Sequence, residues 1–292
     1  MSDLPVVAIT GANGYVGSIL ERALTGAARV VRLVRRPEKA NDALWTLTMS
    51  CDEMTKILRD NAVDCIFHAA WNMSAGSRSV IQMECVDGSA RLLQAARNAG
   101  VTRFIFISTI SAFDGARSDY GKSKLEAEYR AIEFGATVLR LGLVCGAEGR
   151  GMFGKLRKIA RSLPIIPLIG DGSALQYLLR EDVLGALARR AAHGDLVGEH
   201  APITLASPTP IPFRDLLARL AGPERRPLFL PIPWRAIYLA LRVAEAIGAK
   251  LNFRSDSVLS FIYQDPRPDF SHLERLGLPA PLFDVQFMDE NR

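Results

Sequence analysis

Short apolar runs alternate with segments of helical periodicity through the first half of the chain. The apolar runs predict β-strands at residues 6–9, 30–34, 65–69, 104–108 and 137–141. Apolar positions recurring every three to four residues predict helices between them, at about 15–25, 53–60, 80–99 and 120–134. Strands that alternate with helices require crossover connections, so the sequence predicts an α/β fold with a doubly wound parallel sheet.

The pattern of residues changes after residue 146: the predicted elements are shorter, and glycine and proline separate them. A helix at about 180–192 is predicted to rejoin the sheet layer. The remaining segments predict a smaller C-terminal α+β domain that caps the carboxyl ends of the strands. We therefore expect one domain from 1–145 plus about 174–206, and a second from about 146–173 plus 207–292.

Three glycines, Gly11, Gly14 and Gly17, follow the first predicted strand and lead into the first predicted helix. Glycine permits unusual backbone angles and lets a ligand approach the main chain, and the amides at a helix amino terminus bind phosphate. In this strand–turn–helix context the pattern predicts a dinucleotide, with a ligand-free tight turn as the alternative. The candidate cofactor-binding residues of the loop are Gly11, Asn13, Gly14, Tyr15, Val16 and Gly17.

The end of the second predicted strand bears on the choice between NAD and NADP. A carboxylate commonly binds the ribose 2′-hydroxyl of NAD at this position, whereas this chain has Arg35 and Arg36. Two guanidinium groups attract a 2′-phosphate. The sequence therefore favours NADP over NAD, and a solvated basic turn is the interpretation without a function.

A second motif, YGKSK at residues 120–124, places Tyr120 and Lys124 on one face of a predicted helix. Tyrosine has an ordinary pKa of about 10, and a nearby ammonium favours the phenolate. Lys124 is therefore expected to lower the pKa of Tyr120 towards neutral pH. A hydroxyl at the end of the preceding strand, from Thr109 or Ser108, is expected to hydrogen-bond the substrate oxygen.

These motifs occur in order with several others, namely TGANGYVG, HAA, FIFIST, YGKSK, LRLGLVCG and IGDGSALQYLLREDV. Together they resemble the extended short-chain dehydrogenase/reductase family, in particular its NAD(P)-dependent epimerase/dehydratase branch, from about residue 5 to 206 and more loosely to 284. The resemblance implies a Rossmann domain that binds NAD(P). It also implies that Tyr120 is the catalytic acid/base, that Lys124 binds the nicotinamide ribose, and that Thr109, or else Ser108, is the family's hydroxyl residue.

Further expectations come from the same resemblance. Ala69 and Ala70 would lie along the cofactor, and the second domain would bind the substrate. The helices at about 80–99 and 120–134 would pair in a homodimer. Apart from the resemblance, the basic run at 150–161 indicates that Arg157 or Lys158 binds substrate phosphates by charge-assisted hydrogen bonds, with a solvated helix face as the alternative. Arg267 is a second candidate for the same role.

The chain departs from the family pattern at two informative places. Cys85 stands where the family usually has asparagine. Ile110 and Ser111 follow the threonine where dehydratases carry an acidic pair, so hydride transfer is favoured over dehydration. We expect an oxidoreductase or epimerase that acts on a carbinol or ketone carbon of a nucleotide-linked sugar. The alternatives are a reductase of a non-sugar ketone or aldehyde and a non-catalytic dinucleotide-binding sensor or assembly protein.

Composition and charge narrow the range of partners. The formal net charge of the 292 residues is +5, but the basic residues are scattered without interleaved aromatics, so no nucleic-acid partner is expected. The cysteines lie singly, without metal or disulfide spacing. No signal-peptide pattern occurs at the start, which predicts a cytoplasmic location. Arg235, Arg242 and Glu245 interrupt the apolar segment 228–249, so we expect a helix packed on its own domain and no membrane partner.

Overall fold

A computed structural model describes residues 4–73, 77–146, 150–196, 198, 201–249 and 253–278. The chain divides into two units, each with its own core. The first unit comprises Met1–Thr109, Ser123–Leu141 and Glu181–Leu205. The second unit comprises Ile110–Lys122, Gly142–Arg180 and Ala206–Arg292. The expected cofactor and substrate roles of two domains, with the boundaries given above, stay predictions.

One parallel sheet forms the centre of the first unit. Its strands are β1 (Val6–Thr10), β2 (Arg29–Val34), β3 (Asp42–Leu44), β4 (Cys65–His68), β5 (Arg103–Thr109), β6 (Thr137–Leu141) and β11 (Ile203–Leu205). They lie in the order β11-β6-β5-β4-β1-β2-β3, and all neighbours are parallel. The predicted doubly wound sheet of Rossmann type is confirmed. Strand β3 has no counterpart among the predicted strands because a run of three residues shows no alternation.

Helices cover the sheet of the first unit. They are α1 (Tyr15–Leu24), α2 (Cys51–Asp60), α3 (Arg78–Val80), α4 (Asp87–Ala99), most of α5 (Asp119–Glu133) and α7 (Glu181–Ala192). The predicted helix at 80–99 differs from the structure, because a π-helical turn at Ile81–Val86 joins α3 to α4. Such a turn holds an extra residue, and hydrophobic spacing alone does not reveal it.

Burial in the first unit follows from this layering. Every residue of β1 is buried, because a parallel sheet has helices on both faces. Val6 and Ala8 pack in one cluster with Met54 of α2 and Leu92 of α4. Alternate side chains of a strand point to opposite faces, so Val7 and Ile9 face the other helix layer.

The second unit is built from shorter elements. They are β7 (Leu143–Cys145), α6 (Gly151–Ser162), β8 (Ile165–Ile169), β9 (Leu175–Gln176), β10 (Leu178–Arg180), β12 (Ile211–Pro212), α8 (Phe213–Ala221), β13 (Leu228–Ile232), α9 (Trp234–Ala246), α10 (Ser255–Ile262) and α11 (Ser271–Arg275). Strands pair as β7 with β10, β8 with β13 and β9 with β12. Phe153, Ile166 and Phe213 belong to its core. The predicted smaller α+β architecture is confirmed.

A buried histidine links the central strands of the first unit to α4. The Ala70 N–H donates to Thr10 Oγ1 at 3.1 Å, and Thr10 Oγ1 lies 2.7 Å from His68 Nδ1. His68 Nε2 lies 2.8 Å from Ser89 Oγ, which donates to the Cys85 carbonyl oxygen at 2.6 Å. Since the Ser89 proton is used on Cys85, His68 donates from Nε2 and accepts from Thr10 at Nδ1. In this series of hydrogen bonds from Ala70 to Cys85, every polar hydrogen thus has one acceptor.

The His68 network predicts a pH-dependent stability. Burial, with a smaller effect from Lys124, lowers the pKa of His68 from 6.5 to about 3. Between these two values the unfolded chain binds a proton that the folded chain does not. The free energy of unfolding should therefore fall by up to about 1.4 kcal/mol for each pH unit below 6.5. Urea unfolding at several pH values measures this slope.

His68→Gln should reduce the slope, whereas His193→Gln, at an exposed position, should keep it. Equal slopes in the wild type and His68→Gln would show that His68 does not stay neutral in the fold.

Candidate cofactor and catalytic site

The glycine loop is crowded by its own chain. Gly11 has a φ of +69°, and a Cβ there would lie 2.9 Å from the Ala70 nitrogen. A Cβ at Gly17 would lie 2.2 Å from the Gly11 carbonyl oxygen. Gly14 differs, because a Cβ there would meet only that same oxygen, at 3.1 Å. Two glycines are therefore required for packing, and the third leaves an accessible main chain.

The amino terminus of α1 is open to an anion. Tyr15, Val16 and Gly17 form the first turn, Gly14 is the N-cap, no side chain caps the helix and no acidic residue lies in the first turn. In α2, by contrast, Ser50 and Glu53 form a complete capping box. An amino terminus without a side-chain cap or a nearby acidic residue carries partial positive charge, which suits a phosphate group.

Asn13 is connected to the neighbouring strand by a buried arginine. Arg32 of β2 donates to Asn13 Oδ1. It also pairs with Asp42 at 2.7 Å and with Glu21 at 3.1 Å. Burial raises the pKa of Asp42, but amide hydrogen bonds from Glu38 and Lys39 and the Arg32 charge hold that pKa below its ordinary value. Arg32 is thus a structural cation that fixes the loop.

The arginines that the sequence proposes for a 2′-phosphate lie three and four residues beyond this buried one. Arg35 and Arg36 follow β2 directly and are exposed. Both come at the carboxyl edge of the sheet, where the loop after β1 and residues Ala69 and Ala70 after β4 also lie. Strands β1 and β4 are neighbours although they are not consecutive, so this is the switch point at which doubly wound folds bind ligands.

Lys124 is almost completely buried in the first unit, with 3% of its surface exposed. Its Nζ donates to the Ile107 carbonyl oxygen at 2.7 Å. The ammonium also lies 3.9 Å from the ring centre of Trp71 and 4.7 Å from that of Phe106. Burial lowers the pKa of Lys124 to about 7, against the opposing effects of Cys85 and Glu128. Lys124 can therefore change its protonation state near neutral pH.

A buried ion pair lies close to this lysine. The single N–H at Arg140 Nε donates a bifurcated hydrogen bond to both carboxylate oxygens of Glu128, each at 3.0 Å, and Arg140 Nη2 donates a further one at 2.6 Å. Burial raises the pKa of Glu128, although Arg140 and the Ser108 hydroxyl lower it in part. Ser108 is buried and faces this carboxylate, whereas Thr109, the last residue of β5, is only half-buried. The two candidate hydroxyls therefore have different surroundings.

Tyr120 lies at the start of α5, in the part that belongs to the second unit. Asp256 of α10 caps this helix from a distant part of the chain. Its carboxylate accepts from the Asp119 amide at 2.7 Å and from the Tyr120 amide at 3.0 Å. Burial raises the pKa of Asp256, while these two amides lower it. Asp256 thereby fixes the backbone from which Tyr120 projects, and the helix places Lys124 one turn further along.

Cys85 lies in the π-helical turn, where the family resemblance leads one to expect asparagine. It is buried, and its Sγ accepts a hydrogen bond from the Asn72 amide at 3.3 Å. Burial raises the pKa of the Cys85 thiol. A neutral thiol in this place cannot offer the two donors of an asparagine amide.

The candidate phosphate-binding residues are in the second unit. Arg157 and Lys158 lie in α6, where Lys158 is exposed and Arg157 is half-buried. Arg267 is exposed, and its amide donates to Asp265 at 2.9 Å. Among the described residues no group of three or more His, Cys, Asp or Glu side chains is arranged to hold a metal ion.

The sheet, the loop and the open helix terminus define a dinucleotide-binding protein of the Rossmann class. Residues 7–201 match the NAD-dependent epimerase/dehydratase family. Since this match covers well over half of the chain, the chain belongs to that family, which is of the extended short-chain dehydrogenase/reductase type.

Individual relatives are distant. A ceramide reductase from Caulobacter vibrioides is 27% identical over 195 residues, which are 62% of this chain and 59% of that protein. The chain thus spans less than two thirds of the length of this curated relative.

Solved structures show the same architecture. The dTDP-4-dehydrorhamnose reductase of Bacillus anthracis, in complex with NADP, has a TM-score of 0.67 at 15% identity, over 89% of this chain and 98% of that one. The UDP-glucose 4-epimerase of Thermus thermophilus, in complex with NAD, has a TM-score of 0.64 at 18% identity, over 88% of this chain and 97% of that one. At such identities the likeness shows the fold.

Several residues of the site have no signature in the sequence. Trp71 follows the HAA motif directly. Its position after β4, at the carboxyl edge of the sheet, is the one feature of the sequence that relates it to the site. Arg32 and His68 are polar residues inside apolar strand patterns, which indicates a buried polar network but not its partners. Asp256 is separated from Tyr120 by 136 positions, so no local pattern could relate the two.

The burial of Lys124 predicts an unusual stability effect. Lys124→Met replaces a desolvated ammonium with an apolar side chain of similar length, and Glu128 keeps its partner Arg140. The free energy of unfolding near pH 7 should be unchanged or rise by roughly 1–3 kcal/mol. Urea unfolding measures it, and Lys122→Met, at an exposed position of the same helix, should change it by less than about 0.5 kcal/mol. A marked loss of stability in Lys124→Met would instead make Lys124 a structural cation.

Proposed function

We propose that this protein is an enzyme that transfers hydride between NAD(P) and a carbinol or ketone carbon, with Tyr120 as the acid/base. The observation that carries the proposal is the buried Lys124, one turn from Tyr120 on α5. Burying an ammonium costs stability unless it is fully compensated. A cation kept at that cost, with its pKa near neutrality, is typical of a functional site.

The residues at the sheet edge suit the proposed cofactor. The accessible main chain at Gly14 and the open first turn of α1 suit a pyrophosphate. Asn13, fixed by Arg32, lies in the same loop, and Ala69 and Ala70 offer small side chains beside it. When bound, NAD(P) supplies a nicotinamide that accepts or gives hydride. Arg35 and Arg36 support NADP as the preferred form.

In this proposal, the protein's own side chains carry out the proton transfer. Tyr120 Oη is proposed to give a proton to the substrate oxygen during reduction and to take it back during oxidation. The Lys124 ammonium is proposed to bind the nicotinamide ribose and to favour the phenolate. Thr109 is proposed to hydrogen-bond the substrate oxygen. Ser108 is the less suitable hydroxyl because it is buried against Glu128.

A nucleotide-linked sugar is the proposed substrate. Similarity to enzymes named for UDP-glucose and dTDP-4-dehydrorhamnose supports this class. Arg157, Lys158 and Arg267 are the proposed ligands for the diphosphate. A non-sugar carbonyl compound is the second candidate, since one of the curated relatives is named a ceramide reductase. The presence of both Tyr120 and Lys124 favours catalysis over a non-catalytic sensor or assembly role.

The oligomeric state and location are also proposed rather than observed. Met83, in the π-helical turn, and Tyr129, on α5, are both exposed. Arg130 of α5 pairs with Asp87 of α4 at 2.8 Å, which holds the two helices together. A homodimer that buries this side of the helix pair remains our expectation, as does a cytoplasmic location.

Tyr120→Phe tests the acid/base. NADPH and NADH oxidation is followed with a panel of keto sugars, ketones and aldehydes, and epimerisation with UDP-glucose and UDP-galactose. We expect kcat/KM to fall by about 10²–10⁴, because general acid catalysis is lost while the ring remains. Tyr129→Phe, on the same helix, is the matched control and should keep wild-type turnover. Equal turnover by Tyr120→Phe would remove Tyr120 from the mechanism.

The nucleotide retained on purification separates the two reaction types. A tightly held, oxidised nucleotide would indicate an epimerase, because that cycle regenerates its own hydride carrier. A freely exchanging NADPH would indicate a reductase.

Arg35→Ala with Arg36→Ala tests the cofactor preference. Loss of charge-assisted hydrogen bonds to a 2′-phosphate should weaken NADPH binding by about tenfold or more and leave NADH binding nearly unchanged. Fluorescence titration with each nucleotide measures both affinities. Arg29→Ala, at the exposed amino-terminal end of β2, is the control for lost charge. Equal weakening of both nucleotides would show that the pair acts only as a general positive charge.

A further inference from the structure

Helix α9 leaves one side uncovered. Its other side packs on α10, where the rings of Trp234 and Tyr263 lie 5.8 Å apart and Glu245 accepts from Ser255 at 2.8 Å. Leu239, Val243 and Ile247, spaced four residues apart, are 64%, 56% and 78% exposed. No residue of α9 is buried. The expected packing of this helix on its own domain is therefore only half complete.

A second apolar face is formed by β13, the strand that precedes α9 in the sequence, and by its partner strand β8. Strands β8 and β13 pair in parallel, with Leu228 opposite Ile165 and Leu230 opposite Pro167. Ile166 and Leu168, at the alternate positions, belong to the core of the second unit. Leu228, Leu230, Ile165 and Pro167 are all exposed. An uncovered, wholly apolar sheet face is unusual in a water-soluble domain and marks an interaction surface.

The charges in the segments that carry these faces are mostly positive. Residues 225–249, all described, contain the arginines Arg225, Arg226, Arg235 and Arg242 and a single acidic residue, Glu245. Glu245 is already engaged with Ser255 and Arg254. Residues 150–170, which include β8, contain five basic residues and no acidic one. The two segments that carry the exposed apolar residues therefore have an excess of positive charge.

We propose that the exposed side of α9, together with the outer face of β8 and β13, binds the surface of an anionic lipid bilayer. Leu239, Val243 and Ile247 would enter the boundary between headgroups and acyl chains, and the arginines would contact the lipid phosphates. Apolar residues on one side of a helix with flanking arginines are typical of interfacial membrane helices. This revises the sequence-based expectation of no membrane partner, and it does not depend on the proposed catalytic function.

A lipid surface fits better than a second copy of the chain. A two-fold contact would bring the same patch of each copy together, and with it four arginines from each side. Like charges in contact disfavour association. An anionic bilayer offers both acyl chains for the leucines and negative charge for the arginines. The proposed contact is peripheral, because among the described residues no helix has the length and apolar character to cross a bilayer.

Vesicle binding tests the proposal. The full-length protein is sedimented with vesicles of phosphatidylcholine alone and of phosphatidylcholine mixed with phosphatidylglycerol, at low and high salt. We expect binding to the anionic vesicles at low salt, weakened by high salt. Leu239→Gln with Ile247→Gln should weaken binding by about tenfold or more, since two exposed apolar side chains are lost. Arg226→Gln with Arg242→Gln should weaken it by about tenfold or more through lost attraction to anionic lipid.

Controls separate a surface effect from misfolding. Leu4→Gln removes a leucine that is 52% exposed in the first unit, and it should bind vesicles as the wild type does. Each variant should keep the wild-type thermal midpoint and NADPH affinity. Absence of binding to anionic vesicles, equal binding to neutral ones, or full binding by Leu239→Gln with Ile247→Gln would overturn the proposal. Light scattering measures self-association. If the protein self-associates, does not bind vesicles, and loses self-association in Leu239→Gln with Ile247→Gln, the surface binds a second copy of the chain and not a bilayer.

Discussion

The close approach of the loop after β1 to the end of β4 is the constraint on which the rest of the first unit depends. No side chain fits at Gly11, because the backbone of Ala70 occupies the space that a Cβ would need. No side chain fits at Gly17 either, because its Cβ would overlap the Gly11 carbonyl oxygen. Directly beneath, His68 joins Thr10 to Ser89. The position of Ala69 and Ala70 beside the glycine loop and the amino terminus of α1 follows from this contact.

The cations in the interior of the first unit differ in how fully the loss of hydration is compensated. The buried Arg32 and the half-buried Arg140 have carboxylate partners, Asp42 and Glu128, that lie within normal hydrogen-bond distance. Lys124 has no carboxylate at hydrogen-bond distance among its described contacts and relies on a carbonyl oxygen and two aromatic rings. Because the cost of desolvation is compensated less completely there, its pKa falls to about 7. A group that titrates near neutral pH beside a sheet edge is suited to chemistry rather than to support.

The second unit combines a well-packed core with uncovered apolar faces. Phe153, Ile166 and Phe213 are enclosed, while the opposite faces of β8, β13 and α9 carry leucine, isoleucine and valine outward. Exposing such side chains to water gives up the free energy that burial would provide. The loss is consistent with a surface that is covered when the protein meets its partner, and the surrounding arginines limit which partners can approach.

The sequence by itself determined the alternation of strands and helices, the glycine loop, the Tyr120 and Lys124 spacing and the family, because these features are local or repeat at a fixed period. It did not reveal β3 or the π-helical turn, since three residues or one additional residue leave no periodic trace. Tertiary structure alone decided that Asp256 caps α5, that Lys124 is buried under Trp71, and that α9 stays half uncovered. These outcomes depend on contacts between residues far apart in the chain and on desolvation, and no local pattern encodes either.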